Sequence, residues 1–134
     1  ISLRQVCMQV QQMMDHASRL QLLHFLFGIA KADGKIAAVE VSLIEQIAQY
    51  LRISKNDYES IKAMFYNSRE EAYKILEIEK GASPLAIKKA YRKMAKKFHP
   101  DKVQHLGEEH QKGAEEKFRK VQQAYEQLQG ELGF

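Results

Sequence analysis

Lys88 to Lys102 reads KKAYRKMAKKFHPDK, and this stretch decides how the second half of the chain folds. With Ile87 just ahead of it, Ala90, Tyr91, Met94, Ala95 and Phe98 recur at three- and four-residue steps, so they share one face of a helix. The opposite face collects Lys88, Lys89, Arg92, Lys93, Lys96 and Lys97, and no acidic residue lies between Pro84 and Phe98. Ser83 can cap the free N–H groups at the start, where Pro84 has no N–H to leave unpaired. Pro100 pushes His99 out of the α region, so the helix should stop at Phe98 or His99. A cationic rod with an apolar back therefore runs straight into His99-Pro100-Asp101, with Lys102 behind it.

A second stripe follows. Ala114, Phe118, Val121, Tyr125 and Leu128 repeat the spacing of Ile87, Tyr91, Met94 and Phe98, and two matched stripes joined by a loop pack as an antiparallel hairpin. His99 to Lys112 is expected to be a long loop at the hairpin's tip.

Working outward, the first half carries four more helical stripes. Leu3, Val6, Cys7, Val10, Met13 and Met14 mark the first, and Leu22, Leu23, Leu26, Phe27, Ile29 and Ala30 the second, with a cap expected within His16 to Ser18. Val41, Ile44, Ile47, Ala48 and Leu51 mark the third, while Ser54 with Asp57 opens a fourth bearing Tyr58, Ile61 and Phe65. Asn67-Ser68 breaks the pattern, and Ser68 with Glu71 reads as a capping box for a short helix carrying Tyr73 and Leu76. The expected class is all-α, with a helical domain over 1–67 and a helical hairpin domain over 68–134. No Gly- or Pro-rich linker separates them, so they should abut.

The net charge of the 134 residues is +4, less than the six cations of the 84–98 helix alone supply, so the basicity is local. That points to one acidic docking surface on a partner rather than to a chain that coats nucleic acid. Cys7 is the only cysteine, which excludes an internal disulfide and places it as a core residue. The longest apolar run, Phe25 to Ala30, falls far short of the roughly 20 residues that span a bilayer. Because the sequence opens on Ile1, it reads as a fragment whose upstream part could hold a signal or an anchor.

One constellation in the first half invites a calcium reading. In ADGKIAAVE, Asp33, Gly34, Ile36 and Glu40 fall on the fifth, sixth, eighth and twelfth positions of an EF-hand loop. Ile29 and Lys31 then occupy the first and third ligand positions, which rules the loop out. The segment reads instead as an Asp-Gly turn, with Gly34 left-handed and Glu40 at the positive end of the next helix. Nor do His99, His105 and His110 make a zinc site, lacking thiolates and i, i+4 spacing. A catalytic His-Asp pair would need a nucleophile, and no serine or cysteine near the tip offers one. The chain is read as no enzyme, with no cofactor and no metal.

EAYKILEIEKGASPLAIKKAYRKMAKKFHPDK followed by AEEKFRKVQQAYEQL resembles the J domain of the DnaJ co-chaperone family. The segment with Ala32, Asp33, Gly34 and Glu40 is similar to the TerB-like helical domains, and the two in this order look like the DjlA co-chaperones of bacteria. The resemblance implies a cytoplasmic protein on the inner face of the bacterial inner membrane, anchored upstream of Ile1. It implies a DnaK-type heat-shock ATPase as partner, met by Lys88, Arg92, Lys93, Lys96, Lys102 and, at the edge of the buried face, Tyr91. His99, Pro100 and Asp101 would contact that ATPase and promote hydrolysis. Relative to ordinary J domains, the loop after the tripeptide is longer and no fourth helix follows. Lys89 and Lys97 read as solubilising charges only. Two rival readings are a nucleic-acid-binding helical domain using 88–97 as a phosphate-contacting rod, and a metal sensor at Asp33 and Glu40. The apolar stripes of 1–67 additionally suggest self-association.

Overall fold

Short polar side chains start the helices. Ser2 and Gln5 form a reciprocal capping box at the head of α1 (Leu3–Met13), with Ser2 Oγ accepting from the Gln5 N–H at 3.2 Å. α2 (His16–Lys31) starts one residue earlier than the expected cap, on Asp15, whose carboxylate accepts the Ser18 N–H at 2.8 Å. Glu40 folds back onto the Ala37 N–H at 3.0 Å to begin α3 (Ala38–Tyr50), the expected role of a carboxylate at a positive helix end. Ser54 caps α4 (Lys55–Ala63) and Ser83 caps α6 (Pro84–Lys97), which ends at Phe98. Between them lies α5 (Arg69–Ile75). The computed structural model describes residues 2–32, 34–66 and 69–134, the last range without the side chain of residue 69; Asp33 and the proposed Ser68 cap lie outside these.

The fold is all-α, as the patterning requires, and among the described residues there is no strand. α2 is its axis. It packs against α3 and α4 on one side and against α7 and the tip segment on the other. A helix covered on two sides cannot keep one apolar stripe, and α2 accordingly buries Leu20, Gln21, Leu23, His24 and Phe27. Ile29, expected on the buried face, is 56% exposed. α1 also departs from expectation. Only Cys7 is buried there, while Leu3, Val6 and Met13 are exposed, since α3 alone among the helices offers α1 substantial cover.

The two halves share one core. Leu20, Leu23, Phe27 and Ile61 of the first cluster with Leu76, Ile87, Met94, Phe98, Val121 and Leu128 of the second, each such side chain contributing roughly 1.5–3 kcal/mol when fully buried. The Ser60 hydroxyl donates to the Ile75 carbonyl at 2.6 Å across the same seam. The expected abutment is thus a continuous packed interface.

The second half is the expected antiparallel pair, α6 against α7 (Glu108–Leu132). Its connection is not the loop of His99 to Lys112. Pro100–Leu106 forms a 3-10 helix, Gly107 turns the chain at φ +95°, and α7 is already under way at Glu108. Pro100 suits the first position of that short helix, and Gly107 supplies a conformation that other residues rarely adopt.

Candidate functional site

His99 takes the extended backbone that a residue before proline requires, at φ −64° and ψ 133°, and its ring caps the 3-10 helix. Nδ1 accepts the Asp101 N–H at 3.1 Å, which places the ring proton on Nε2 in the neutral form. The ring meets Phe118 of α7 edge-on at 5.3 Å, so the hairpin's far helix fixes its orientation. Asp101 has an exposed carboxylate (71%), with one oxygen accepting from Gln104 Nε2 at 3.1 Å and the other 3.6 Å from His99 Nδ1. Behind the tip, Val103 is buried and Gln111 donates to the Pro100 carbonyl at 3.3 Å. The tripeptide is thus an outward-facing turn with a carboxylate at its apex.

The cationic face leads up to it. Lys88, Lys89, Arg92, Lys93 and Lys96 are exposed, as are His99, Asp101 and Lys102. Tyr91 is half-buried and stacked on Tyr125 at 4.4 Å and 11°, which locks α6 to α7 through the middle of the hairpin. The last residue, Phe134, closes the same patch. Gly133, left-handed at φ +74°, turns the chain so that Phe134 meets Tyr125 edge-on and lies 5.6 Å from Lys88 Nζ.

Lys97 is not a mere solubilising charge. Its Nζ donates to Asp57 Oδ1 at 2.7 Å and stands 3.5 Å from Glu77 Oε2, with its own side chain only 24% exposed. The cations of α6 therefore do have a compensating anion, and it lies in the first half. His16 Nε2 lies 3.4 Å from the other Asp57 oxygen. Burial alone would raise the Asp57 carboxyl, but hydrogen bonds from Glu77 and Lys97 outweigh it and leave it below its ordinary value. Glu77 goes the other way: burial, then its contact with Asp57, pushes it up to about 8. Near neutral pH the triad is one ammonium, one carboxylate and one carboxylic acid, balanced in charge.

The sequence reading also missed the contact between Ser18 and His105 and the burial of Lys117. Ser18 Oγ lies 2.9 Å from His105 Nε2 at the far end of the tip segment. Lys117 is 2% exposed, with Nζ 5.0 Å above the Phe98 ring. Its signal was present, because 117 falls on the same face as Ala114, Val121, Ala124 and Leu128. For Asp57 and Ser18 there was no local signal, their partners being 40 and 87 residues away. The three histidines of the rejected zinc set have separate neighbours: Phe118 for His99, Ser18 for His105 and Phe25 for His110. Among the described residues no group of three or more His, Cys, Asp or Glu side chains is arranged to hold a metal ion, and no helix is long and apolar enough to cross a membrane.

Residues 71–131 match the family model of the DnaJ domain, and residues 1–63 that of the tellurite resistance protein TerB. The chain carries a DnaJ domain behind a TerB region. Over the J domain it is similar to proteins named Chaperone protein DnaJ. It is 51% identical over 61 residues to that of Lactiplantibacillus plantarum, which covers 46% of this chain and 14% of the relative. For Mesomycoplasma hyopneumoniae the figures are 48% over 64 residues, 48% and 17%. For Lactococcus lactis they are 54% over 61 residues, 46% and 14%. The chain thus spans between 14% and 17% of the length of these relatives. No solved structure matches it. The exposed tripeptide and its cationic approach both lie inside the J domain, and Asp57 and Ser18 lie inside the TerB region.

Proposed function

We propose that this protein is a co-chaperone that binds a DnaK-type ATPase through the J-domain tip and α6, and stimulates its hydrolysis of ATP without catalysing any reaction itself. The observation that carries the reading is the exposed Asp101 carboxylate at the apex of a fixed turn, approached by Lys88, Arg92, Lys93 and Lys96 on one face and followed by Lys102. Five cations on one side steer and orient an acidic partner surface, and a lone carboxylate beside them selects a cation on that partner. Like charges four apart on a helix repel by a few tenths of a kcal/mol per pair, which a docked acidic surface relieves.

The test is a single-turnover ATPase assay with a purified DnaK-type chaperone. Asp101→Asn should fold as the parent does and give no stimulation; stimulation equal to the parent's would refute the reading. The rival nucleic-acid reading requires steep salt-dependent binding to DNA or RNA, and the absence of such binding is expected here.

A second reading concerns the TerB region. α1 presents Leu3, Val6, Met8 and Met13 to solvent, and among its residues only Arg4 is charged. An isologous contact sets a patch against its own copy, so an apolar face with a single charge meets little like-charge repulsion when it pairs. This supports self-association through residues 1–67.

A further inference from the structure

The tip is flanked by two positions that the TerB region holds. On its entry side, Lys97, two residues before His99, is bonded to Asp57 of α4 at 2.7 Å. On its exit side, His105, four residues after Asp101, is bonded to Ser18 of α2 at 2.9 Å. Between these two anchors the chain is further held by the buried Phe98 and Val103, by the His99 ring against Phe118 and by the Gln111 bond to the Pro100 carbonyl. A turn that must present a carboxylate at a fixed place needs both ends fixed, because a freely swinging end spreads the carboxylate over many positions and lowers the productive fraction. From these contacts we infer that Asp57 and Ser18 of the TerB region are positioning residues for the His99-Pro100-Asp101 tip, so that the first half is part of the device that the chaperone reads. This rests on the co-chaperone reading above.

The burial of the two residues makes the inference separable from docking. Asp57 is 3% exposed and Ser18 is 1% exposed, so neither can touch a partner, and any effect they have on the partner must pass through the tip. Their neighbours are named by the geometry. Asp57 faces Lys97 and Glu77 from the J domain and His16 from α2, while Ser18 faces His105 and gives its N–H to Asp15. The exposed cations Lys88, Arg92, Lys93 and Lys96 are untouched by either residue, so encounter should not depend on them.

The experiment uses the full chain with a purified DnaK-type ATPase, titrating wild type, Asp57→Asn, Ser18→Ala and the double variant. It is accompanied by 15N amide spectra of residues 99 to 105. The expected result is a fall in the maximal stimulated rate, several-fold for each single variant and on the order of tenfold for the double, with the half-saturating concentration unchanged within about twofold. The Asp101 and Lys102 amide signals should shift or broaden in step. Equal maxima for all four proteins, or a loss seen only as a raised half-saturating concentration, would overturn the inference. Should Asp57→Asn fail to fold, Ser18→Ala decides, since it removes one hydroxyl. A wild-type chain that stimulates nothing would sink the co-chaperone reading instead, and the amide signals of Ser18→Ala would then decide the positioning claim: unmoved signals at 101 and 102 refute it.

Discussion

Replacing Lys117 by methionine should stabilise this protein, against the usual outcome for a core substitution. Lys117 lies on α7 between Ala114 and Val121, 2% exposed, with its ammonium against the Phe98 ring. Burial pulls it down from 10.5 to about 7, and the charge of Asp57 only partly offsets that. The unfolded chain holds this proton up to the ordinary lysine value, whereas the native state releases it near pH 7. Between those limits the unfolded state binds more protons, so stability rises with pH from about 7 to about 10.5 and is level below. At 1.36 kcal/mol per unit, the penalty at pH 7 is on the order of 4 kcal/mol, falling to about 2 kcal/mol at pH 9. Methionine keeps the length and the apolar stem and discards the amine.

The assay is urea unfolding of wild type and Lys117→Met at pH 6, 7, 8 and 9. The methionine variant should be more stable by about 3 kcal/mol near neutrality, after allowing for the lost contact with Phe98, and its advantage should shrink by about 2 kcal/mol between pH 7 and pH 9. Comparison of the two proteins is essential, because Glu77 acts in the opposite sense. Its carboxyl is raised from 4.5 to about 8, so its contribution is complete below 4.5 and is lost as pH rises through 8. Glu77 is common to both proteins and drops out of the difference. An advantage that is absent, or the same at every pH, would mean that the amine reaches water and keeps an ordinary lysine proton, and the account of Lys117 would fail.

Three further substitutions probe the scaffold. Gly113→Leu puts a side chain where even a Cβ would stand 2.6 Å from Gln21 Nε2, wedging α7 from α2; despite leucine's better helix propensity, urea unfolding should show a loss of about 2 kcal/mol or more. Asp15→Ala removes the cap of α2 and should cost about 1 kcal/mol at neutral pH. Hydrogen bonds from Ser18 hold the Asp15 carboxyl below its usual value, so its contribution is present at neutral pH and fades as pH falls through the carboxylate range; the variant should lose that part of the acid limb. Val6→Glu, at a half-exposed position of α1, should leave unfolding unchanged and abolish concentration-dependent association in sedimentation; a wild-type chain that stays monomeric at high concentration removes the pairing proposal.

Where a feature depended on neighbours within one turn of helix, it was legible in the sequence. Ser83 and Pro84 open α6, Pro100 closes it, Glu40 caps α3, and the stripes of α6 and α7 face each other with Ile87, Met94, Val121 and Leu128 buried. The tripeptide and the run of cations ahead of it were legible for the same reason, since a proline stop and a basic stripe opposite an apolar one are both local features. The failures share one cause, tertiary contact. α2 is apolar on two sides because two halves close on it, and α1 is apolar yet exposed because little but α3 covers it.

The lysines make the limit concrete. Lys96 and Lys97 are neighbours in one basic run, with the same side chain and the same helix, yet one is exposed and the other is held by Asp57. The helical wheel separates them by only about 100°, and no rule confined to α6 says that a buried carboxylate from α4 waits at one angle and water at the other. Lys117 is the converse case, a cation whose register on α7 did mark it as buried, and whose charge is opposed again by Asp57. One aspartate in the TerB region therefore ties down a lysine beside the tip and steadies a second lysine beneath it. Removing Asp57 should disturb the J domain more than removing any one of the exposed cations that carry most of its charge.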